Sequence, residues 1–259
     1  MDRIDTASRL LQDLWCGRQR LPQLPEALRP QTEEEGYAIQ ARLEKLSGSP
    51  LFGWKIAATS LAGQAHIQVG NPLAGRLLQE RILGAGESYE LGDNLMGVAE
   101  LEFAFRMGED LPAQAEPYTP EEVVARVATL HPSIEIPDTR LSEFEKAGAP
   151  QLIADNACAD RFKLGPASPE IWRSLDLAAH AVTGAINNGQ KHHGIGRNVL
   201  GHPLVALTWL ANRLSSLGLP LEAGQVVTTG TCLIPMTIRP GDHVLGDFGE
   251  LGRVSLSIR

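Results

Sequence analysis

The chain has 259 residues, 43% hydrophobic and 21% charged, which is the balance of an ordinary soluble globular protein and length enough for one large domain with a small addition. A formal net charge of −8 argues against nucleic acid or an anionic membrane surface as a partner. Cys16, Cys158 and Cys232 are odd in number and widely spaced, so they suggest neither a disulfide framework nor a paired-cysteine zinc site and suit a reducing cytoplasm. The opening Met1-Asp2-Arg3-Ile4-Asp5 carries acids and no apolar run, unlike a signal peptide, and no stretch approaches the ~20 apolar residues of a membrane helix.

Leu10, Leu11, Leu14 and Trp15 fall at helical spacing and predict a first amphipathic helix over 5–16. A proline-rich connection leads to a second helix, opened by the capping-box pattern Thr32-Glu33-Glu34-Glu35 and ending near Gly48. These helices make an N-terminal appendage, 1–50, ahead of a larger unit, 51–259. That unit begins with Leu51–Ala58, an apolar run interrupted by Lys55. Such a lysine either snorkels to the surface, the reading its position favours, or is buried with a depressed pKa and serves as an acid or base near neutrality. A short helix from Ser60 to Gln68 precedes a loop through Gly70-Asn71-Pro72-Leu73-Ala74-Gly75.

In Val98-Ala99-Glu100-Leu101-Glu102-Phe103-Ala104-Phe105, a strand period of two turns Leu101, Phe103 and Phe105 one way and Glu100 and Glu102 the other. Adjacent carboxylates on an apolar strand repel each other and are costly to desolvate, so either the face is wet or something positive compensates. A hard divalent ion does so best. Thr119-Pro120-Glu121-Glu122 opens a helix over Glu121–Leu130, and Pro132–Asp138 reads as a second strand with Glu135 between two isoleucines. A third acid in an apolar strand points to a three-carboxylate site.

Asp155-Asn156, after an apolar stretch, caps a turn or lines a site. Asn187-Asn188-Gly189 signals a hairpin, with Lys191-His192-His193 solvated at its exit. His202-Pro203 leads into the helix Leu204–Leu217, closed by Gly218. Later strands are expected at Gln225–Thr229, Met236–Arg239, His243–Phe248 and Arg253–Ile258, and Gly230-Thr231 is either a tight turn or a presenter of N–H and hydroxyl groups to an anion. Strands that do not alternate regularly with helices indicate an α+β arrangement around a rolled, barrel-like sheet. The chain has no Gly-x-Ser-x-Gly elbow, phosphate-binding loop, dinucleotide fingerprint, His-x-x-x-His or Cys-x-x-Cys.

Six pieces stand in a telling order: Gly53-Trp54-Lys55-Ile56; Ala99-Glu100-Leu101-Glu102-Phe103-Ala104-Phe105; Ile134-Glu135-Ile136-Pro137-Asp138-Thr139-Arg140; Ala154-Asp155-Asn156-Ala157; Leu200-Gly201-His202-Pro203 with Trp209-Leu210-Ala211-Asn212; and Gly241-Asp242-His243 with Asp247-Phe248 and Leu251-Gly252. From about Gly53 onward the chain resembles the hydratase/decarboxylase branch of the fumarylacetoacetate hydrolase superfamily, which includes 2-keto-4-pentenoate hydratases and 4-oxalocrotonate decarboxylases. The resemblance implies a mixed β-sandwich roll with a small helical N-terminal portion, commonly a homo-oligomer. It implies Glu100, Glu102 and Glu135 as ligands of Mg2+ or Mn2+, Lys55 as the acid/base, and Leu73, Asp155, Cys158 and Thr231 as substrate contacts.

The implied reaction is a lyase's: addition of water to a small 2-hydroxy-2,4-dienoate or 2-oxo-4-enoate in the catabolism of aromatic compounds. The implied alternative is decarboxylation of a 4-oxalocrotonate-type 2-oxo acid. The chain departs from the hydratase pattern at Asn71-Pro72-Leu73, where an Asp-Pro-Asp-like segment is usual, and at Cys158, where a serine often stands. Two other readings are a C–C hydrolase of acylpyruvates, which would want a glutamate near His66, and a metal-stabilised binding protein without catalysis, in which Lys55 faces solvent.

Overall fold

The computed structural model describes residues 2–259. Three helices come first: α1 (Arg3–Cys16), α2 (Glu33–Gln40) and α3 (Leu43–Ser47). Asp2 caps α1 through a bond from the Asp5 N–H, and the Thr32 hydroxyl caps α2 by accepting from the Glu35 N–H. The second helix expected to reach Gly48 is divided at Ala41-Arg42, and Gly48, at φ +72°, closes the later piece.

Strands dominate the rest of the chain: β1 (Leu51–Ala57), β2 (Leu73–Leu78), β3 (Val98–Met107), β4 (Val127–Ile136) and β5 (Arg161–Leu164), then β6 (Ala181–Ile186), β7 (Lys191–Ile195), β8 (Val226–Thr231), β9 (Met236–Thr237), β10 (His243–Asp247) and β11 (Arg253–Ser257). The helices among them are α4 (Leu61–His66), α5 (Pro120–Ala125), α6 (Gly148–Ala154) and α7 (Pro203–Ser216). One sheet runs β2-β1-β8-β3-β4-β5, with β9 paired to β3, and the other runs β11-β10-β6-β7. The β1–β8 pair is parallel and its neighbours are antiparallel, so the larger sheet is mixed.

The sheets pack face to face. Leu101 of β3 presses on Gly184 of β6 and Gly246 of β10, where an added Cβ would lie 3.1 Å and 2.9 Å from its methyl carbons. Phe103 meets Phe248 edge to face at 5.3 Å between centroids. Apolar side chains of α1 and α2 (Ala7, Leu11, Tyr37, Ile39) join the same buried cluster as Trp54, Leu101, Phe103 and Ile134 of the sheets. The α+β roll expected from the sequence is the architecture found.

Two expectations fail in the details. Leu73–Leu78, expected in part as loop, is a strand buried along its whole length, because both of its faces are covered and the chain needs no polar alternation there. The helix expected over Glu121–Leu130 ends at Ala125; its Thr119/Glu122 capping box is complete, but Val127–Leu130 pair with β3. Among the described residues no helix is long and apolar enough to cross a membrane.

Candidate metal centre

The register of four strands brings four charged side chains together. In the β3–β4 ladder Glu100 lies opposite Glu135 and Glu102 opposite Ser133. β8 runs on the other side of β3, with Thr231 opposite Glu102 and Thr228 opposite Ala104, and Thr228 in turn pairs with Lys55 of β1. One oxygen from each of Glu100, Glu102 and Glu135 lies within 4.8 Å of the others. Lys55 Nζ stands 3.5 Å from Glu135 Oε1 and donates a hydrogen bond to the Ala157 carbonyl at 3.1 Å.

Lys55 is only 2% exposed, so the snorkelling favoured from its position is incorrect. The expectation of a depressed pKa fails too. Burial draws the lysine down, but Glu135, Glu100 and Glu102 more than offset it and hold the ammonium above the ordinary lysine value. The acids move upward together. Burial and the Glu100 charge push Glu102 up to about 7, against the pull of Lys55 and the bonds from Thr228 and Gly230. Burial, with Glu100 and Glu102 beside it, also carries Glu135 well above the usual carboxylate range, despite Lys55. Three ionised carboxylates against one ammonium leave two negative charges formally uncompensated.

The hydrogen bonds leave oxygens bare. Glu102 Oε2 accepts from the Thr228 hydroxyl and, at 2.8 Å, from the Gly230 N–H. Glu102 Oε1 and both oxygens of Glu135 are buried with no hydrogen-bond partner among the described residues. A buried carboxylate oxygen without a donor is costly, and a dication meeting several of them at once removes that cost. The donor set is all oxygen, which suits a hard ion and is a poor match for zinc or copper.

The candidate substrate contacts are placed around this cluster unequally. Leu73, fully buried, opens β2 opposite Ala57. Thr231 closes β8 next to Glu102 in register, and its hydroxyl donates to the Leu233 carbonyl at 2.7 Å. Cys158 is buried, its thiol pushed up to about 12 by burial and the Asp155 charge in spite of Lys55 and Arg140. The Asp155 carboxylate is taken up internally. It accepts from the Thr139 hydroxyl at 2.5 Å, the Arg140 N–H at 3.0 Å and the Arg140 guanidinium.

Sequence reasoning missed the roles of Thr228, which lies in no motif, and of the Ala157 carbonyl, a main-chain group that a side-chain pattern does not reveal. It offered Gly230-Thr231 as a tight turn or an anion presenter, and the anion served by the Gly230 N–H is the protein's own Glu102. No glutamate follows His66 at short range in the sequence. His66 Nε2 lies 3.5 Å from Glu145 Oε1, an exposed pair joining α4 to the segment before α6 that no local spacing could reveal.

Comparison with known proteins gives a consistent result. The 2-keto-4-pentenoate hydratase 1 of Dechloromonas aromatica (strain RCB) is 31% identical over 254 residues, 97% of this chain and 95% of that protein. The 2-hydroxyhexa-2,4-dienoate hydratase of Comamonas testosteroni is 32% identical over 245 residues, 93% of this chain and 91% of that protein. Among solved structures, 4-oxalocrotonate decarboxylase from Pseudomonas putida G7, complexed with magnesium and adipate, superposes with a TM-score of 0.88 at 24% identity over 99% of this chain and 97% of that one, which fixes the shared fold. No protein-family model matches.

Proposed function

This chain belongs to the 2-keto-4-pentenoate hydratase family, and from that premise we propose a divalent-metal-dependent hydro-lyase that adds water to a small 2-hydroxy-2,4-dienoate or its 2-oxo-4-enoate tautomer. The observation that carries the metal dependence is the set of bare, buried oxygens on Glu102 and Glu135 beside Glu100. These three residues would hold magnesium or manganese, and the bound ion would stabilise negative charge developing on the substrate's 2-oxo oxygen. Lys55 does the proton work. Its ammonium, aimed by the Ala157 carbonyl and set beside Glu135, gives a proton to C5 of the dienol as the enol oxygen gives up its own, leaving the conjugated 2-oxo-3-enoate. Water then adds across the conjugated bond, its hydroxyl to C4 and its proton to C3, to give a 4-hydroxy-2-oxo acid, and the neutral lysine is recharged by the proton that left the enol oxygen. With this reading go a homo-oligomeric assembly and a cytoplasmic setting.

Decarboxylation of a vinylogous 2-oxo acid is the second reading, favoured by two departures from the hydratase pattern: Asn71-Pro72-Leu73 carries no acid, and Cys158 stands where a serine is common. The same metal-stabilised charge would accept the electrons released with carbon dioxide. The non-catalytic alternative wanted a solvent-facing Lys55, and the buried lysine counts against it. The deciding experiment offers 2-hydroxydienoates and 4-oxalocrotonate with magnesium, following ultraviolet loss and carbon dioxide release. A hydratase consumes the dienoate without gas and makes a 4-hydroxy-2-oxo acid. Gas from 4-oxalocrotonate alone selects the decarboxylase, and no turnover of either removes the enzyme reading.

A further inference from the structure

The carbonyl that aims Lys55 sits on an improbable piece of backbone. Asn156, Ala157 and Cys158 have φ of +57°, +50° and +60°, three consecutive left-handed residues and not a glycine among them. L residues adopt this conformation reluctantly, so such a turn persists only where its surroundings over-determine it. The surroundings are identifiable. The Asn156 side chain accepts from the Arg76 N–H at 2.6 Å and donates to the Arg76 carbonyl at 2.9 Å, pinning the turn to β2. At its start, the buried Asp155 is held by the Thr139 hydroxyl, the Arg140 N–H and the Arg140 guanidinium, which also donates to the Asp155 carbonyl.

Segment 138–142 is itself gripped, from the N-terminal side. Trp15, near the end of α1, is in contact with two guanidinium groups, with Cζ of Arg140 3.9 Å and Cζ of Arg81 4.1 Å from a ring centroid. Arg20 donates to the Thr139 carbonyl at 3.1 Å and to Asp138 at 2.8 Å. The Leu21 N–H donates to the Arg140 carbonyl at 2.9 Å, and the Ser142 N–H to the Leu21 carbonyl at 2.7 Å. Ring, side chain and main chain of residues 15–21 thus all close on the segment that holds Asp155. No contact in this chain of links belongs to the carboxylate cluster.

We propose that Trp15 and Arg140 are positioning residues for Lys55: the N-terminal segment braces 138–142, Arg140 and Thr139 fix Asp155, and Asp155 fixes the left-handed turn whose Ala157 carbonyl orients the lysine. Asp155, expected from the sequence to touch substrate, belongs to this brace. The N-terminal helices are then a working part of the site. The proposal rests on the reading of Lys55 as the proton carrier.

The test compares Trp15→Ala, Trp15→Phe and Asp155→Asn with the unaltered protein, measuring kcat, KM, magnesium affinity by calorimetry and deuterium uptake by peptide. Trp15→Ala lowers kcat about 10-fold, since small misplacement of a reacting group has effects of that order, while KM stays within about twofold. Uptake rises in the peptide covering 155–160 and not in β3, and magnesium affinity is unchanged. Trp15→Phe, which keeps an aromatic ring for the guanidinium groups, restores kcat and protection. Asp155→Asn reproduces the Trp15→Ala signature and serves if that variant does not fold. Normal kcat with normal uptake at 155–160 overturns the proposal, and so does faster uptake spread evenly over the strands. A Lys55→Ala protein that still turns over instead sinks the proton-carrier reading, an outcome the uptake pattern of Trp15→Ala cannot mimic.

Discussion

At Glu102 the two carboxylate oxygens have different fates: Oε2 is fixed by Thr228 and Gly230, and Oε1 is left bare and buried. This asymmetry aims one lone-pair set at the space shared with Glu100 and Glu135 and removes rotational freedom from the ligand before any ion arrives. Glu102→Gln should therefore lose about 100-fold or more in magnesium affinity by calorimetry, since a charge and an oxygen go together. Thr228→Val, which leaves Oε2 with the Gly230 N–H alone and does not touch the bare oxygen, should lose about 10- to 100-fold. If both variants bind magnesium as the unaltered protein does, the carboxylate cluster is not the ion's site. The acids were legible from strand alternation because a carboxylate on an apolar strand is conspicuous in one dimension. Lys55 was not, because a single lysine in an apolar run reads the same whether it escapes to water or meets acids from other strands. Its partners are set by register across β1, β8, β3 and β4.

Strand pairing is where the site is built, and its tightest point is Gly53. A Cβ there would meet the Val226 carbonyl oxygen at 1.9 Å and the Val226 nitrogen at 2.7 Å, so any side chain pushes β1 away from β8. Those two strands carry Lys55 and Thr228. Gly53→Ala should cost about 1–3 kcal/mol in urea unfolding, the range for forced overpacking, with lowered activity in what remains folded. Gly70→Ala, with nothing within 4 Å of its Cβ, is the control and should unfold at the original midpoint. Equal midpoints for both would show that the strands slide apart at no cost. Local signals revealed the elements well where they were chemical: the Thr119/Glu122 capping box, the His202-Pro203 helix start and the Asn188-Gly189 hairpin all lie where expected. Periodicity failed where burial is two-sided, as in Leu73–Leu78, and where Val127–Leu130 continued a helical pattern into residues that the β3 edge claims.

Across the whole molecule the carboxylates come from the middle of the larger sheet, between the β1–β8 pair and β5, and the helices of the first fifty residues share its core. The cluster therefore exists only when the entire roll is closed, and the unfolded chain offers an ion one close pair, Glu100 and Glu102, with Glu135 some way along the chain. An ion that binds the native state alone stabilises it by mass action, about 2.7 kcal/mol at a concentration one hundred times its Kd. At about 2–4 °C per kcal/mol for chains of this size, magnesium at that level should raise Tm by about 5–10 °C over chelator-treated protein. The double variant Glu102→Gln/Glu135→Gln isolates the cause. It removes two of the three mutually repelling charges, so it should melt without any response to magnesium while remaining folded in chelator. A response retained in the double variant would place the ion elsewhere on the surface. No response in the unaltered protein would mean that the uncompensated charge is met by protonation of Glu102 and Glu135, whose upward shifts make that the competing route to neutrality.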